Sequence, residues 1–328
     1  MKKKVILYRA IADDLLQILK EQFEVKYHLF ASEMTPEFYK DLESAEGLIG
    51  NKLSIDRTLL KKAPNLKIVT NISAGYDNLD LNALAERGIM ATNTPDVLTD
   101  TVADTMFGLI LSTARRIPEL HNYVRSGQWN EKNIGEELFG VDVHHKTLGI
   151  IGMGRIGTAV AEIAHYGFKM DILYNNRSNN AFADEKLHAK NVSLNHLLGE
   201  SDFVLVLVPL SDSTYKLIGE SEFNLMKKSA IFINGSRGEV VDEQALISSL
   251  KNKEILAAGL DVYEKEPISK DSPLLSLDNV VTLPHVGSAT RDTRYQMAKL
   301  AVKNLIMGLN GEVPPSLINR EVLTHQGK

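Results

Sequence analysis

Short apolar runs recur along the chain with amphipathic segments between them, and the two periods alternate almost from the first residue. Val5-Ile6-Leu7-Tyr8 reads as a strand, Asp13 to Lys20 as a helix, and Glu24-Val25-Lys26-Tyr27 as an alternating strand. Thr35-Pro36-Glu37 opens another helix with proline in its first turn, where the missing N–H costs no bond. Gly47-Leu48-Ile49-Gly50 and Leu66-Lys67-Ile68-Val69 are two more strand-length runs. This alternation predicts an α/β lobe built on a parallel sheet.

From Thr101 to Ala114 the helical pattern carries two adjacent apolar stripes. Val102, Met106 and Ile110 form one; Ala103, Phe107, Leu111 and Ala114 form the other. A face that wide implies burial on more than one side, either at a subunit interface or in a long interdomain helix. The stretch from Gly127 to His145 is irregular, holds the only tryptophan, Trp129, and suits an arm reaching a second subunit. Beyond it the strand–helix grammar resumes. Strands are predicted at Lys146–Ile151, Phe168–Tyr174, Phe203–Val208 (stopped by Pro209), Ser229–Asn234, Ala257–Asp261 and Asn279–His285. Helices are predicted over Val192–Leu198 and Asp242–Leu250, and a last one from about Ala289 to Leu309 has Met297, Ala301 and Leu305 on one face.

At 328 residues the chain suits two domains. A formal charge of −5 without a basic block argues against nucleic acid as the main partner. Cysteine is absent, which excludes disulfides, thiolate catalysis and Cys-ligated zinc and fits a reducing cytosol. Lys2-Lys3-Lys4 after Met1 resembles a signal n-region, but the apolar run behind it stops at Tyr8-Arg9. No run approaches membrane-spanning length, so a soluble cytoplasmic protein without membrane contacts is expected. His144-His145 lacks helical metal spacing and is expected on the surface; no metal site is predicted.

The chemistry begins where the Lys146–Ile151 run ends in Gly152-Met153-Gly154-Arg155-Ile156-Gly157 and a helix-forming segment follows at once. In that setting Gly152 permits the tight turn, Gly154 lets backbone approach a pyrophosphate, and Gly157 lets helix and strand pack closely. The helix N-terminus then presents N–H groups to the phosphates. An NAD site would place a carboxylate at the end of the next strand, to bind the ribose hydroxyls. Asn175, Asn176, Arg177 and Ser178 stand there instead, so a guanidinium and a hydroxyl are offered to a 2′-phosphate. NADP(H) is therefore expected ahead of NAD, which stays possible; an ordinary polar turn is the alternative. The loop Asn71 to Asn78, bearing Ala74 and Gly75, follows a strand and either holds a small anion on its N–H groups or is simply a loop.

Arg237, Glu266 and His285 each fall just past a predicted strand end, where ligands collect in a doubly wound sheet. Ketone reduction by hydride transfer needs a proton for the developing alkoxide and a clamp for the substrate. His285 is the natural acid, Glu266 would orient it and favour its protonated form, and Arg237 could hold a carboxylate in its planar fork. Each also has a bland reading, as a structural histidine, a solvated glutamate and a turn arginine.

With the motifs Asn234-Gly235-Ser236-Arg237-Gly238, Val240-Val241-Asp242, Gly259-Leu260-Asp261-Val262, Glu266-Pro267 and Pro284-His285-Val286-Gly287-Ser288-Ala289-Thr290 added to the glycine fingerprint, the chain resembles the D-isomer-specific 2-hydroxyacid dehydrogenase family. Tyr174-Asn175-Asn176-Arg177 and the Gly287–Arg291 run resemble its glyoxylate/hydroxypyruvate reductase branch. The resemblance implies a Rossmann-type doubly wound coenzyme domain over residues 100–287 and a flavodoxin-like α/β substrate domain, discontinuous, over 1–99 and 288–328. It implies Arg237, Glu266 and His285 as the catalytic set and Ala74-Gly75 with Arg237 as the substrate anchor. Cofactor contacts would fall on Gly152, Gly154, Arg155, Ile156, Gly157, Asn175 to Ser178, Val208, Pro209, Gly235, Ser236, Asp261, Gly287 and Ser288. The expected activity is NADPH-preferring reduction of glyoxylate, hydroxypyruvate and 2-ketogluconate to D-2-hydroxy acids, by a homodimer whose lobes close over the substrate. A D-lactate or phosphoglycerate type of dehydrogenase, or a dinucleotide-sensing corepressor, are the alternatives.

Overall fold

Two separate parallel sheets organise the chain in the computed structural model, which describes residues 2–29 and 34–325. Met1 and residues 30–33 and 326–328, assigned by the sequence to the first lobe, lie outside the described residues. The first unit comprises Met1–Leu98 with Ala289–Lys328, and the second Thr99–Ser288.

In the first unit, β1 (Lys4–Leu7), β2 (Glu24–Tyr27), β3 (Gly47–Gly50), β4 (Ile68–Asn71) and β5 (Met90–Thr92) are ordered β2-β1-β3-β4-β5. Every pairing is parallel. This is the flavodoxin-like order. The central strands are covered on both faces, so β3 and β4 are buried at every position. The final helix, Arg291–Leu309, packs back on β3 and β4 and completes this unit from the far end of the chain.

The second unit holds β6 (Thr147–Ile151), β7 (Asp171–Asn175), β8 (Lys190–Asn191), β9 (Phe203–Val206), β10 (Ile231–Asn234), β11 (Ala257–Leu260) and β12 (Val280–Thr282). Read from the other edge, the order is β8-β7-β6-β9-β10-β11-β12. The first six reproduce the Rossmann arrangement, and β12 extends it by one strand. The order reverses between β6 and β9, which pair directly.

Several boundaries move, each for a local reason. Thr290 caps the last helix by accepting the Thr293 N–H at 3.2 Å, so the helix begins at Arg291 and not at Ala289. Ser193 and Asp242 do the same for the helices Leu194–Glu200 and Glu243–Lys251. β7 begins at Asp171 because the preceding helix continues through a five-residue π turn, Ile163–Gly167. Phe168 then packs its ring on Phe107, centroids 4.6 Å apart. β5 and β8 are too short to be read from sequence, and the helix Ile117–Arg125 is a further element beyond those expected.

Most of the wide apolar face of the helix Thr99–Ala114 is covered within the second unit. Met106 lies against Gly235, and Leu109 and Thr113 against Gly259, while Phe107 meets Phe168. Apart from the half-buried Leu111, both stripes are thus buried inside the second unit, between its sheet and the helix Arg155–Glu162.

Candidate active site

β10, β11 and β12 are neighbours in register, Asn234 beside Leu260 and Leu260 beside Thr282. All three run the same way, so the loops that follow them leave from one edge of the sheet. Arg237, Glu266 and His285 sit on those three loops.

Direct contacts lock the loops together. Gly238 abuts the backbone of the β11 loop so closely that a Cβ would stand 1.8 Å from the Tyr263 carbonyl carbon. Only glycine fits there, and the Arg237-Gly238 turn is held against the segment leading to Glu266. The Tyr263 hydroxyl donates to the Leu283 carbonyl at 2.9 Å, tying that segment to the end of β12. Burial pushes this phenol up to about 12, so it remains a donor. Asp261, 3 % exposed, accepts the Val286 N–H at 2.7 Å and the Gly287 N–H at 2.9 Å, one on each carboxylate oxygen. Burial raises its pKa, and those two N–H groups and the nearby His285 oppose the rise. Thr105, from the helix Thr99–Ala114, donates to the Gly287 carbonyl at 3.1 Å.

His285 is itself in the left-handed region, φ 54°, which costs a side chain with a Cβ roughly 1–3 kcal/mol. The Asp261 bonds to the next two N–H groups hold that turn. Its Nδ1 lies 2.8 Å and 3.0 Å from the two Glu266 oxygens. Both side chains are partly exposed, 35 % and 26 %. With Nδ1 turned to the carboxylate, Nε2 is the nitrogen presented to a ligand. Arg237 is anchored by its own turn: Nη1 donates to the Ser236 carbonyl at 2.8 Å, and its carbonyl accepts from Asn234 at 3.0 Å.

The expected dinucleotide contacts occupy the same carboxyl edge. Gly152 has φ 103°, and a Cβ there would meet the Leu207–Val208 backbone at 2.8–2.9 Å. A Cβ on Gly157 would come 2.5 Å from the Gly152 carbonyl, whereas one on Gly154 would meet nothing within 4 Å. The turn is therefore closed on its inner side and open at the N-cap of the helix Arg155–Glu162, which is the shape a pyrophosphate needs. Arg177 and Ser178 are exposed past the end of β7, while the Asn175 amide is turned inward, donating to the Val192 carbonyl at 2.8 Å. Ser236 is also turned inward, its hydroxyl on the Asn234 side chain at 3.1 Å. Val208 and Pro209 follow β9, and Gly287-Ser288 follow His285.

In the first unit, Ala74 and Gly75 lie on the loop after β4, partly exposed. The two adjacent histidines, His144 and His145, are exposed with their Nδ1 atoms 3.0 Å apart. Sequence reasoning missed the ties that hold the site: Tyr263, Thr105, the stapling role of Asp261, and Asn93, which donates to the Ala74 carbonyl at 2.7 Å. None belongs to a motif that signals its partner.

The model of the D-isomer-specific 2-hydroxyacid dehydrogenase NAD-binding domain matches residues 107–287. A glyoxylate/hydroxypyruvate reductase B from Klebsiella pneumoniae subsp. pneumoniae is 53 % identical over 323 residues, spanning 98 % of this chain and 100 % of that protein. One from Escherichia coli is likewise 53 % identical over 98 % of this chain and 99 % of its own length. Among solved structures, an NADPH-dependent glyoxylate/hydroxypyruvate reductase from Sinorhizobium meliloti, in complex with NADP and malonate, superposes with a TM-score of 0.87. It is 34 % identical, with 98 % of each chain covered.

Proposed function

Since the chain belongs to the D-isomer-specific 2-hydroxyacid dehydrogenase family, we propose that it reduces glyoxylate and hydroxypyruvate to D-2-hydroxy acids, with 2-ketogluconate as a longer substrate and NADPH preferred over NADH. The observation that carries this reading is the Glu266–His285 pair at 2.8 Å, joining the loops after β11 and β12, on the sheet edge where the loop after β10 bears Arg237. The open Gly152–Gly157 turn would hold the dinucleotide, whose nicotinamide would supply the hydride for C2 when bound.

His285 gives a proton from Nε2 to the carbonyl oxygen as charge builds there, and Glu266 stabilises the ring before transfer. Arg237 offers a planar fork suited to a 2-oxo acid carboxylate. Ala74 and Gly75 offer backbone N–H groups to the same kind of anion. Arg177 and Ser178, exposed past β7 where no carboxylate stands, favour a cofactor with a 2′-phosphate.

The assembly we infer is a homodimer in the cytoplasm. Support comes from the segment after the helix Thr99–Ala114, where Ile117, Val124, Trp129, Ile134 and Phe139 are all between 40 % and 56 % exposed. So many large apolar side chains in one segment call for a covering surface. Among the described residues no helix is long and apolar enough to cross a membrane.

The test is a panel of 2-oxo acids assayed with NADPH and with NADH. Highest kcat/KM for glyoxylate or hydroxypyruvate with NADPH supports the reading. Preference for pyruvate or for a phosphorylated substrate moves the chain to another branch, and no turnover with any of them makes it a sensor. Light scattering on the purified protein settles the dimer.

A further inference from the structure

The Ala74–Gly75 loop is held by its carbonyls. The Ser73 carbonyl accepts the Thr94 N–H at 2.8 Å, and the Ala74 carbonyl accepts Asn93 Nδ2 at 2.7 Å. The Gly75 carbonyl accepts the Ser73 hydroxyl at 2.6 Å and Asn71 Nδ2 at 3.4 Å. In a planar trans peptide the C=O and the following N–H point opposite ways. Fixing these three carbonyls therefore aims the N–H groups of Ala74, Gly75 and Tyr76 away from their anchors. Among the described residues none accepts from those N–H groups. They lie at a partly exposed strand end, where donors without protein partners suit an anion.

Asn93 differs from the other anchors because it reaches across from another strand. It follows β5 directly, next to β4 in the sheet, and is 9 % exposed. Its own carbonyl accepts from Asn304 at 3.1 Å, and Asn304 is fully buried on the helix Arg291–Leu309. The helix thus fixes Asn93, and Asn93 fixes the peptide plane that ends in the Gly75 N–H. A carboxylate of the same shape would lose the donor and bring negative charge towards a carbonyl and any bound anion.

We propose that Asn93 is a positioning residue for substrate, setting the direction of the Gly75 N–H so that the loop receives the carboxylate of the 2-oxo acid. Asn304 acts behind it. This rests on the reading of Ala74–Gly75 as a carboxylate cradle.

The experiment compares Asn93→Asp with a bracing control, Asn319→Ala. Asn319 is 1 % exposed and bonds the Ala91 N–H and the Ile89 carbonyl, so its loss loosens β5 without touching the loop. Asn93→Asp is expected to raise the KM for glyoxylate and the Ki for oxalate together by about 10-fold, the scale of one misplaced hydrogen bond. NADPH affinity should not change. Asn319→Ala should lower Tm and leave both anion constants alone. In the unmodified enzyme loaded with NADP, the Gly75 backbone amide resonance should move on adding oxalate.

If Gly75 responds but Asn93→Asp matches Asn319→Ala in its anion constants, the positioning role is overturned while the cradle stands. If Asn93→Asp weakens NADPH and oxalate equally, its role is general bracing and the proposal again fails. If Gly75 does not respond to oxalate, the cradle reading falls and the proposal with it.

Discussion

Asp261 grips the residue after His285 and not the imidazole: its Oδ1 takes the Val286 N–H at 2.7 Å, and its Oδ2 the Gly287 N–H. A buried carboxylate bridging two successive amides fixes the direction of the turn that carries the acid. Asp261→Asn leaves one acceptor and turns an NH2 towards a backbone N–H. We expect kcat to fall roughly 10-fold or more, on the scale of an unsatisfied buried donor. Steady-state rates check this, and an unchanged kcat would remove Asp261 from the support of His285.

His285→Ala should lower kcat about 100-fold or more, the usual scale of a lost general acid. Glu266→Gln keeps an acceptor for Nδ1 but removes the charge, so its loss should be smaller and lie mainly in kcat. A His285→Ala enzyme turning over at the normal rate would show that the proton comes from elsewhere.

Arg177→Asp places a carboxylate where a 2′-phosphate is expected and where ribose hydroxyls could donate to it. The ratio of kcat/KM for NADPH to that for NADH should drop at least about 10-fold, one charge-assisted bond to phosphate being worth that much. The same ratio in both enzymes would place the phosphate on other residues.

Asp242, part of the Val240-Val241-Asp242 motif, caps the helix Glu243–Lys251 by accepting the Gln244 and Ala245 N–H groups, and its other oxygen pairs with Lys216 at 3.0 Å. Lys216 first, then the cap bonds, hold its pKa below the ordinary aspartate range. Its folded-state pKa is depressed, so its stabilisation is present above about pH 4 and is lost as pH falls through the lower value. Asp242→Ala should cost about 1 kcal/mol near neutrality and much less in acid. Chemical denaturation across that pH range measures the difference, and an equal cost at both ends would contradict it.

Much of this is written in local pattern. β3, β4, β9 and β10 are apolar runs because both faces of a parallel sheet are covered, and their periodicity is visible without a partner. The Gly152–Gly157 pattern is equally local to read, although the Leu207–Val208 backbone that crowds Gly152 arrives from the end of β9. That Arg237, Glu266 and His285 share an edge follows from strand ends alone, since parallel strands put all their carboxyl ends on one side.

Other features needed the folded chain. The apolar width of Thr99–Ala114 predicts burial but not by what, and the cover is the second unit's own sheet and helix. Gly238 is a turn residue in sequence and becomes indispensable only because the Tyr263 backbone arrives against it. Asn304 and Asn93 are 211 residues apart, and no spacing rule connects them. Periodicity records which side of an element is buried, because that depends on the residue's own place in the repeat. Which carbonyl a buried amide meets depends on how two elements distant in sequence are packed, and that is decided only by the tertiary structure.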